Sequence, residues 1–178
     1  MNLYLCGMIG AGKSAIGLRL AARLGRPFFD LDSEMDRQLG GSFHDLVHSQ
    51  GWVPFRELEY AICKRFAGLR GSVCALGGGT VRYEWNRDVL RDSGHTVLLE
   101  ADLAVLAERV RRADRPRVNP GVTLEEDLAQ LWSSAEGLYR RAADLTHRTD
   151  TGRNVDAEAD ALASVVRDRW PDVAAERS

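Results

Sequence analysis

The run Gly7-Met8-Ile9-Gly10-Ala11-Gly12-Lys13-Ser14 constrains this chain more than any other feature, because it satisfies GxxxxGK[ST] between an apolar stretch, Asn2–Cys6, and an amphipathic one, Ser14–Leu24. That context, strand then glycine loop then helix, is the one in which the pattern carries chemistry. Glycines let the backbone wrap closely around phosphate oxygens with N–H groups turned inward, and the helix that follows adds its positive end. Lys13 can reach the β- and γ-phosphates of a nucleotide as a point charge, and the Ser14 hydroxyl can offer an oxygen to Mg²⁺. A chance match over this length has odds of about one per cent or less on average residue usage. The lysine sharpens the reading: 22 of the 24 basic residues are Arg, and only positions 13 and 64 are Lys.

The rest of the chain alternates in period. Pro27–Leu31, Ser72–Leu76, His95–Leu99 and Leu145–Thr149 read as short strands. Helical spacing is predicted near 32–39, 42–49, 53–67, 84–92 and 103–112, then from about 123 to 143 and from 155 to 169. Ser42 with Asp45, and Thr123 with Glu126, have the spacing of capping boxes. Strands alternating with helices predict an α/β fold, a parallel sheet of five strands covered on both faces, with ligands at the carboxyl ends of the strands. At 178 residues, with no internal repeat or linker, one domain over about 1–170 is expected. Pro171–Ser178 reads as a frayed, disordered tail.

Composition narrows the function classes. A formal net charge of −2 gives no overall attraction to nucleic acid or an anionic membrane, so any basic site must be local. No segment approaches the ~18 apolar residues of a membrane span, and no charged start followed by an apolar run and a cleavage site is present. Cys6, Cys63 and Cys74 have no CxxC spacing and lie in apolar stretches, which predicts inert core thiols. A cytoplasmic protein is the expectation, and nothing in the sequence demands more than a monomer.

Several further groups carry candidate chemistry. Asp30 and Asp32 follow the second strand, and strand spacing would aim both carboxylates to one side, where they could hold a metal-bound water and accept a hydroxyl proton. The plainer alternative for such a pair is a helix cap and a solvated turn. Arg56 and Glu59 stand three apart on one helical face: either a surface ion pair, or a glutamate holding an arginine fork ready for a substrate carboxylate. Gly77-Gly78-Gly79 is either a loose turn or a place where backbone approaches a ligand. Arg109, Arg111, Arg112, Arg115 and Arg117 crowd a segment broken by two prolines. That segment is either a solvated face or a mobile loop bringing cations to transferring charge. Tyr139-Arg140-Arg141 adds cations late in a helix, where the dipole alone would favour them.

GMIGAGKS, DLD, GWVPFRELE, ALGGG, the Arg-Pro of the Arg-rich segment and LYRR occur in the order and approximate spacing of one family, over residues 2 to about 155. The chain resembles the shikimate kinases. The resemblance implies a three-layer P-loop kinase fold with a lid at 111–122 and a helical substrate-binding segment at 32–60. It implies Mg²⁺-dependent transfer from ATP to shikimate, giving shikimate 3-phosphate, with catalytic roles for Lys13, Asp32 and Arg115. Shikimate contacts are implied for Asp32, Arg56, Gly78, Gly79 and Arg140, and a place in the Mg²⁺ shell for Ser14 and Asp30. ATP contacts are implied for Gly10, Ala11, Gly12, Lys13, Ser14, Ala15, Arg112, Arg115 and Arg153. Three residues depart from the family pattern: Ala15 in place of a common Thr, Val47 at an often aromatic position, and Val155 where Pro often stands. None removes a charged group, so they bear on affinity rather than on reaction type.

The P-loop and a lid arginine do not by themselves identify the acceptor, so a kinase of another small hydroxy acid such as gluconate is the nearest alternative. A nucleoside monophosphate kinase fits the DLD and FRELE segments less well. A nucleotide-binding switch is the reading of a different class, and the chain has no NKxD signature to support it.

Overall fold

The computed structural model describes residues 1–112 and 121–174. In chain order the elements are β1 (Asn2–Cys6), α1 (Lys13–Arg23), β2 (Phe28–Asp30), α2 (Leu31–Leu39), α3 (Phe43–Gln50), α4 (Trp52–Gly68) and β3 (Val73–Ala75). They continue with a 3-10 turn (Thr80–Arg82), α5 (Glu84–Arg91), β4 (Gly94–Glu100), α6 (Leu103–Arg112), α7 (Leu124–Ala142), β5 (Leu145–Arg148), α8 (Val155–Arg169) and α9 (Pro171–Ala174).

The five strands form one parallel sheet in the order β2-β3-β1-β4-β5. A parallel sheet needs helical crossovers, which cover its faces, and its central strands must then be apolar on both sides. β1 meets that demand: every residue from Asn2 to Cys6 is buried, with Leu3 beside Val73 on one flank and His95 on the other. Each fully buried Leu in such a strand is worth about 1.5–3 kcal/mol over its exposed state. The exception in composition is Asn2, buried yet polar. Its amide donates to the carbonyls of Phe66 (3.1 Å) and Leu69 (2.9 Å), and its Oδ1 accepts from Ser72 N, so it ties β1 to the end of α4.

β1 and β3 are neighbours, so the loops that follow them emerge side by side at the carboxyl edge of the sheet. One is the Gly7–Ser14 loop and the other is Gly77–Gly79. This adjacency positions the site.

Three local expectations are corrected and one element is added. Leu31 does not extend β2; it opens α2, because the Asp30 side chain accepts from Ser33 N at 3.1 Å and caps that helix. Ser42 caps α3 through His44 N at 3.2 Å, not in a box with Asp45. The 3-10 turn at Thr80–Arg82 was not anticipated. Pro171–Ala174 is not a frayed tail but a helical turn with Val173 fully buried, leaving only 175–178 outside the described residues. The Thr123–Glu126 capping box is present, with Glu126 N donating to Thr123 Oγ1 (3.2 Å) and Thr123 N to Glu126 Oε2 (2.9 Å).

Candidate active site

The phosphate loop is held open by backbone geometry that side-chain-bearing residues rarely adopt. Gly7, Gly10 and Gly12 have φ of 137°, 82° and 94°, and a Cβ on Gly7 would lie 2.3 Å from the carbonyl oxygen of Leu99. α1 then starts at Lys13 with no side chain capping it. Its start is therefore left without a capping side chain, the arrangement in which helix N–H groups can receive an anion. The Lys13 ammonium folds back over the loop, donating to the carbonyls of Gly7 (2.9 Å) and Met8 (3.0 Å). From behind, Arg109 on α6 donates to Gly10 O (3.3 Å) and to Thr149 Oγ1 (3.0 Å) and O (2.6 Å), while the Thr149 hydroxyl donates to Ala11 O (3.3 Å).

Beside the start of α1, Ser14 Oγ donates to Asp30 Oδ2 at 2.6 Å. Asp30 thus does two things, capping α2 with one oxygen and meeting Ser14 with the other. Asp32 stands in the first turn of α2, not on the strand. The two carboxylates share this edge because the helix starts there, so the period-two argument that grouped them does not apply.

The triple glycine joins the two halves of the site. A Cβ on Gly77 would sit 3.3 Å from Asp32 Oδ1, 2.9 Å from Thr80 Oγ1 and 3.5 Å from Glu59 Oε1. One on Gly79 would sit 3.4 Å from Arg56 Nη2, and one on Gly78 would sit 3.6 Å from Ile9 N in the phosphate loop. Bare backbone at 77–79 therefore lets Asp32, Arg56 and the phosphate loop converge. Tyr139 on α7 fixes this turn by donating its hydroxyl to Gly78 O. Burial pushes its phenol well above the usual range, which keeps it a donor.

Arg56 is four-fifths buried, and its guanidinium lies over the rings of Tyr83 (4.4 Å), Phe55 (4.7 Å) and Trp52 (5.2 Å). Its Nη1 donates to Glu59 Oε2 at 2.7 Å, and Glu59, itself 1% exposed, also accepts from Thr80 Oγ1 (2.7 Å) and Asn86 Nδ2 (3.4 Å). This is a buried, braced pair and not a surface i,i+3 contact. Among the described residues the buried Arg56 Nε has no hydrogen-bond partner.

The remaining expected site residues make other contacts. Arg140 is half-exposed and engaged by Glu136 and Glu100, each at 2.9 Å. Arg112 is exposed and paired with Glu108. Arg153 lies 3.7 Å from the buried Glu158. Ala15 is exposed in the first turn of α1, and Val155 opens α8. Val47 packs against the core. Arg115 falls outside the described residues, as does most of the expected lid. Sequence reasoning missed the Arg109–Thr149 brace and the Tyr139 hydroxyl; Arg109 stood in the arginine-rich run, with nothing to mark it from its neighbours.

With this geometry in view, residues 9–167 match the family model for shikimate kinase. The chain belongs to the shikimate kinase family. A shikimate kinase of Chromohalobacter salexigens is 38% identical over 152 residues, covering 84% of this chain and 83% of its own. One from Geobacter sulfurreducens is 37% identical over 169 residues, covering 94% and 91%. Among solved structures, a shikimate kinase from Acinetobacter baumannii in complex with shikimate superimposes with a TM-score of 0.86 at 30% identity, covering 95% and 94% of the two chains. A gluconokinase from Sinorhizobium meliloti reaches a TM-score of 0.56 at 21% identity, which is a likeness of fold alone. For a member of this family the three-layer P-loop kinase architecture follows, and so does kinase activity.

Proposed function

We infer that the chain transfers the γ-phosphoryl group of ATP to a hydroxyl of shikimate. The observation that carries the reading is the Gly77–Gly79 turn, whose backbone runs close to Asp32, to Ile9 of the phosphate loop and to Arg56. Family membership names the acceptor, and the buried Arg56 with an unsatisfied Nε suits its carboxylate.

Phosphoryl transfer passes through a loose transition state, so the protein's work is positioning and charge neutralisation. Gly10, Ala11, Gly12 and the first turn of α1, including Ala15, would surround the phosphates with N–H groups, and Lys13 would leave its carbonyls to meet the β- and γ-oxygens. Asp32 would accept a hydrogen bond from the attacking hydroxyl, and Arg56, Gly78 and Gly79 would fix the acid. Arg112 and Arg153 would lie toward the nucleotide, with Arg140 toward the acceptor and Arg115 closing over the transferring group. The oxygens of Ser14 and Asp30, 2.6 Å apart, are the hard donors that Mg²⁺ takes alongside phosphate oxygens. Bound there, Mg²⁺ would neutralise charge on the β- and γ-phosphates. All these groups come from one chain, so a monomer suffices, and the three free, buried thiols suit a reducing cytoplasm. No described helix is long and apolar enough to cross a membrane.

A coupled assay of ADP release tests the reading with shikimate, gluconate and a nucleoside monophosphate, each with and without Mg²⁺. Turnover is expected with shikimate and Mg²⁺ together. Equal turnover without shikimate, or preference for gluconate, would overturn it.

A further inference from the structure

Glu158 is a carboxylate with 2% exposure, in the first turn of α8, that the transfer chemistry leaves unused. Its oxygens are met from β5 and from within one loop, the 149–154 connection between β5 and α8. Oε2 faces His147 Nε2 on β5 at 2.9 Å, Oε1 accepts from the Thr151 hydroxyl, and Arg153 Nη1 approaches Oε2 at 3.7 Å. The loop is exposed from Thr151 to Asn154, while the carboxylate that gathers it is buried. A carboxylate removed from water is costly unless such donors meet it, so the buried group and the surface donors hold one another in a single arrangement.

The front of the same loop is bonded to the phosphate loop. Thr149 donates its hydroxyl to Ala11 O at 3.3 Å, and Arg109 spans Thr149 O (2.6 Å) and Gly10 O (3.3 Å). At the far end Asn154 caps α8 by accepting from Ala157 N at 2.9 Å. The position of the loop relative to Gly10 and Ala11 is thus set by Thr149 in front and by Glu158 behind. The strand order β2-β3-β1-β4-β5 decides what this position means. Asp32, Arg56 and Gly77–Gly79 belong to segments around β2 and β3, on one side of the phosphate loop, and the 149–154 loop follows β5, on the other. A nucleotide whose terminal phosphate points to the acceptor side extends its ribose and base toward β4 and β5.

We propose that Glu158 is a positioning residue for the nucleotide: it touches no substrate, and through Thr151 and Arg153 it holds the 149–154 loop where the ribose and base of ATP rest. His147 closes the network on the strand side and keeps the carboxylate turned to the loop. The inference rests on the nucleotide half of the proposed function and is independent of which acid accepts the phosphoryl group.

The test is calorimetric titration with ADP, together with the KM values for ATP and shikimate, on wild type, Glu158→Gln, Thr151→Val and the double variant. Glu158→Gln keeps the size and one acceptor oxygen; the ADP Kd and the ATP KM should rise about 5- to 20-fold, the range expected when one or two loop side chains lose their fixed positions. The shikimate KM, and kcat at saturating ATP, should stay within about twofold. Thr151→Val, on the exposed loop, should fold whatever becomes of Glu158→Gln and weaken ADP about threefold. The double variant should bind ADP no more weakly than Glu158→Gln, because both substitutions remove one shared contact. Thermal melts establish that each variant is folded at the assay temperature. Fully additive losses, ADP affinity within about twofold of wild type in both single variants, or equal rises in the ATP and shikimate KM overturn the proposal. A wild type that binds ADP without turning over shikimate overturns the acceptor reading and leaves the ADP comparison to decide this one, whereas a wild type that binds no ADP overturns both.

Discussion

Removing the Glu59 carboxylate should damage stability and acceptor binding together, and the structure sets the size of each effect. Glu59 is 1% exposed and receives three donors, from Arg56, Thr80 and Asn86. Glu59→Ala strands a guanidinium that is only 19% exposed and orphans the Thr80 and Asn86 donors. Breaking one side of a buried pair costs about 3–5 kcal/mol, a large share of a total stability of about 5–15 kcal/mol. For a chain of this length that corresponds to a fall in Tm of about 6–20 °C. Glu59→Gln is the milder probe. Its amide oxygen can still accept from Arg56, and the Thr80 hydroxyl can rotate to accept from the amide nitrogen, so the stability cost should be about 1–2 kcal/mol. A neutral amide holds the Arg56 guanidinium less firmly in its orientation, and the shikimate KM should rise about tenfold while the ATP KM holds. Urea melts and steady-state kinetics on both variants provide the check. An Ala variant within about 1 kcal/mol of wild type and with an unchanged shikimate KM would refute the reasoning.

Asp32→Asn keeps the size and one acceptor but removes the charge, and kcat is expected to fall at least about a hundredfold with ATP binding preserved by calorimetry; a variant keeping more than about a tenth of wild-type kcat would reduce Asp32 to a positioning residue. Lys13→Ala should abolish measurable turnover in the coupled assay with the urea midpoint unchanged, and near-normal turnover would remove the phosphate loop from the mechanism. Gly7→Ala must place a Cβ 2.3 Å from the Leu99 carbonyl at a φ of 137°, so a loss of about 3 kcal/mol or more is expected, and a wild-type melting curve would contradict it. Burial pushes the Cys6 and Cys74 thiols up to about 12 and raises Cys63 as well, so the thiolate is disfavoured at neutral pH. A disulfide reagent at pH 8 should therefore titrate no thiol in the native protein and all three after denaturation.

Much of this protein is legible along the chain because the signals are local. Periodicity in β1 and α1, the glycines of the phosphate loop, and the Thr123–Glu126 box each involve residues within one turn or one strand of each other, where backbone sterics and capping dominate. Local rules also failed where two local outcomes competed. Leu31 reads as strand by hydropathy, yet the Asp30 cap converts it to the start of α2, and with it the reason that Asp30 and Asp32 are neighbours. At the end of the chain, Pro171–Ala174 reads as polar and frayed, but Val173 finds a buried place that only the assembled core provides.

The site divides in the same way. Residue types and spacing alone mark Lys13 and Ser14 as candidate phosphate-facing groups, whereas the triple glycine reads equally as a loose turn or as backbone that approaches a ligand. Whether Arg56 is a surface charge or a buried fork depends on Thr80 and Asn86, 21 and 27 residues beyond Glu59. Whether Arg140 stands as a free cation depends on Glu100 and Glu136, which reach it from β4 and from one turn earlier on α7. Electrostatic identity is a sum over neighbours in space, and a one-dimensional chain cannot display that sum until folding brings the neighbours together.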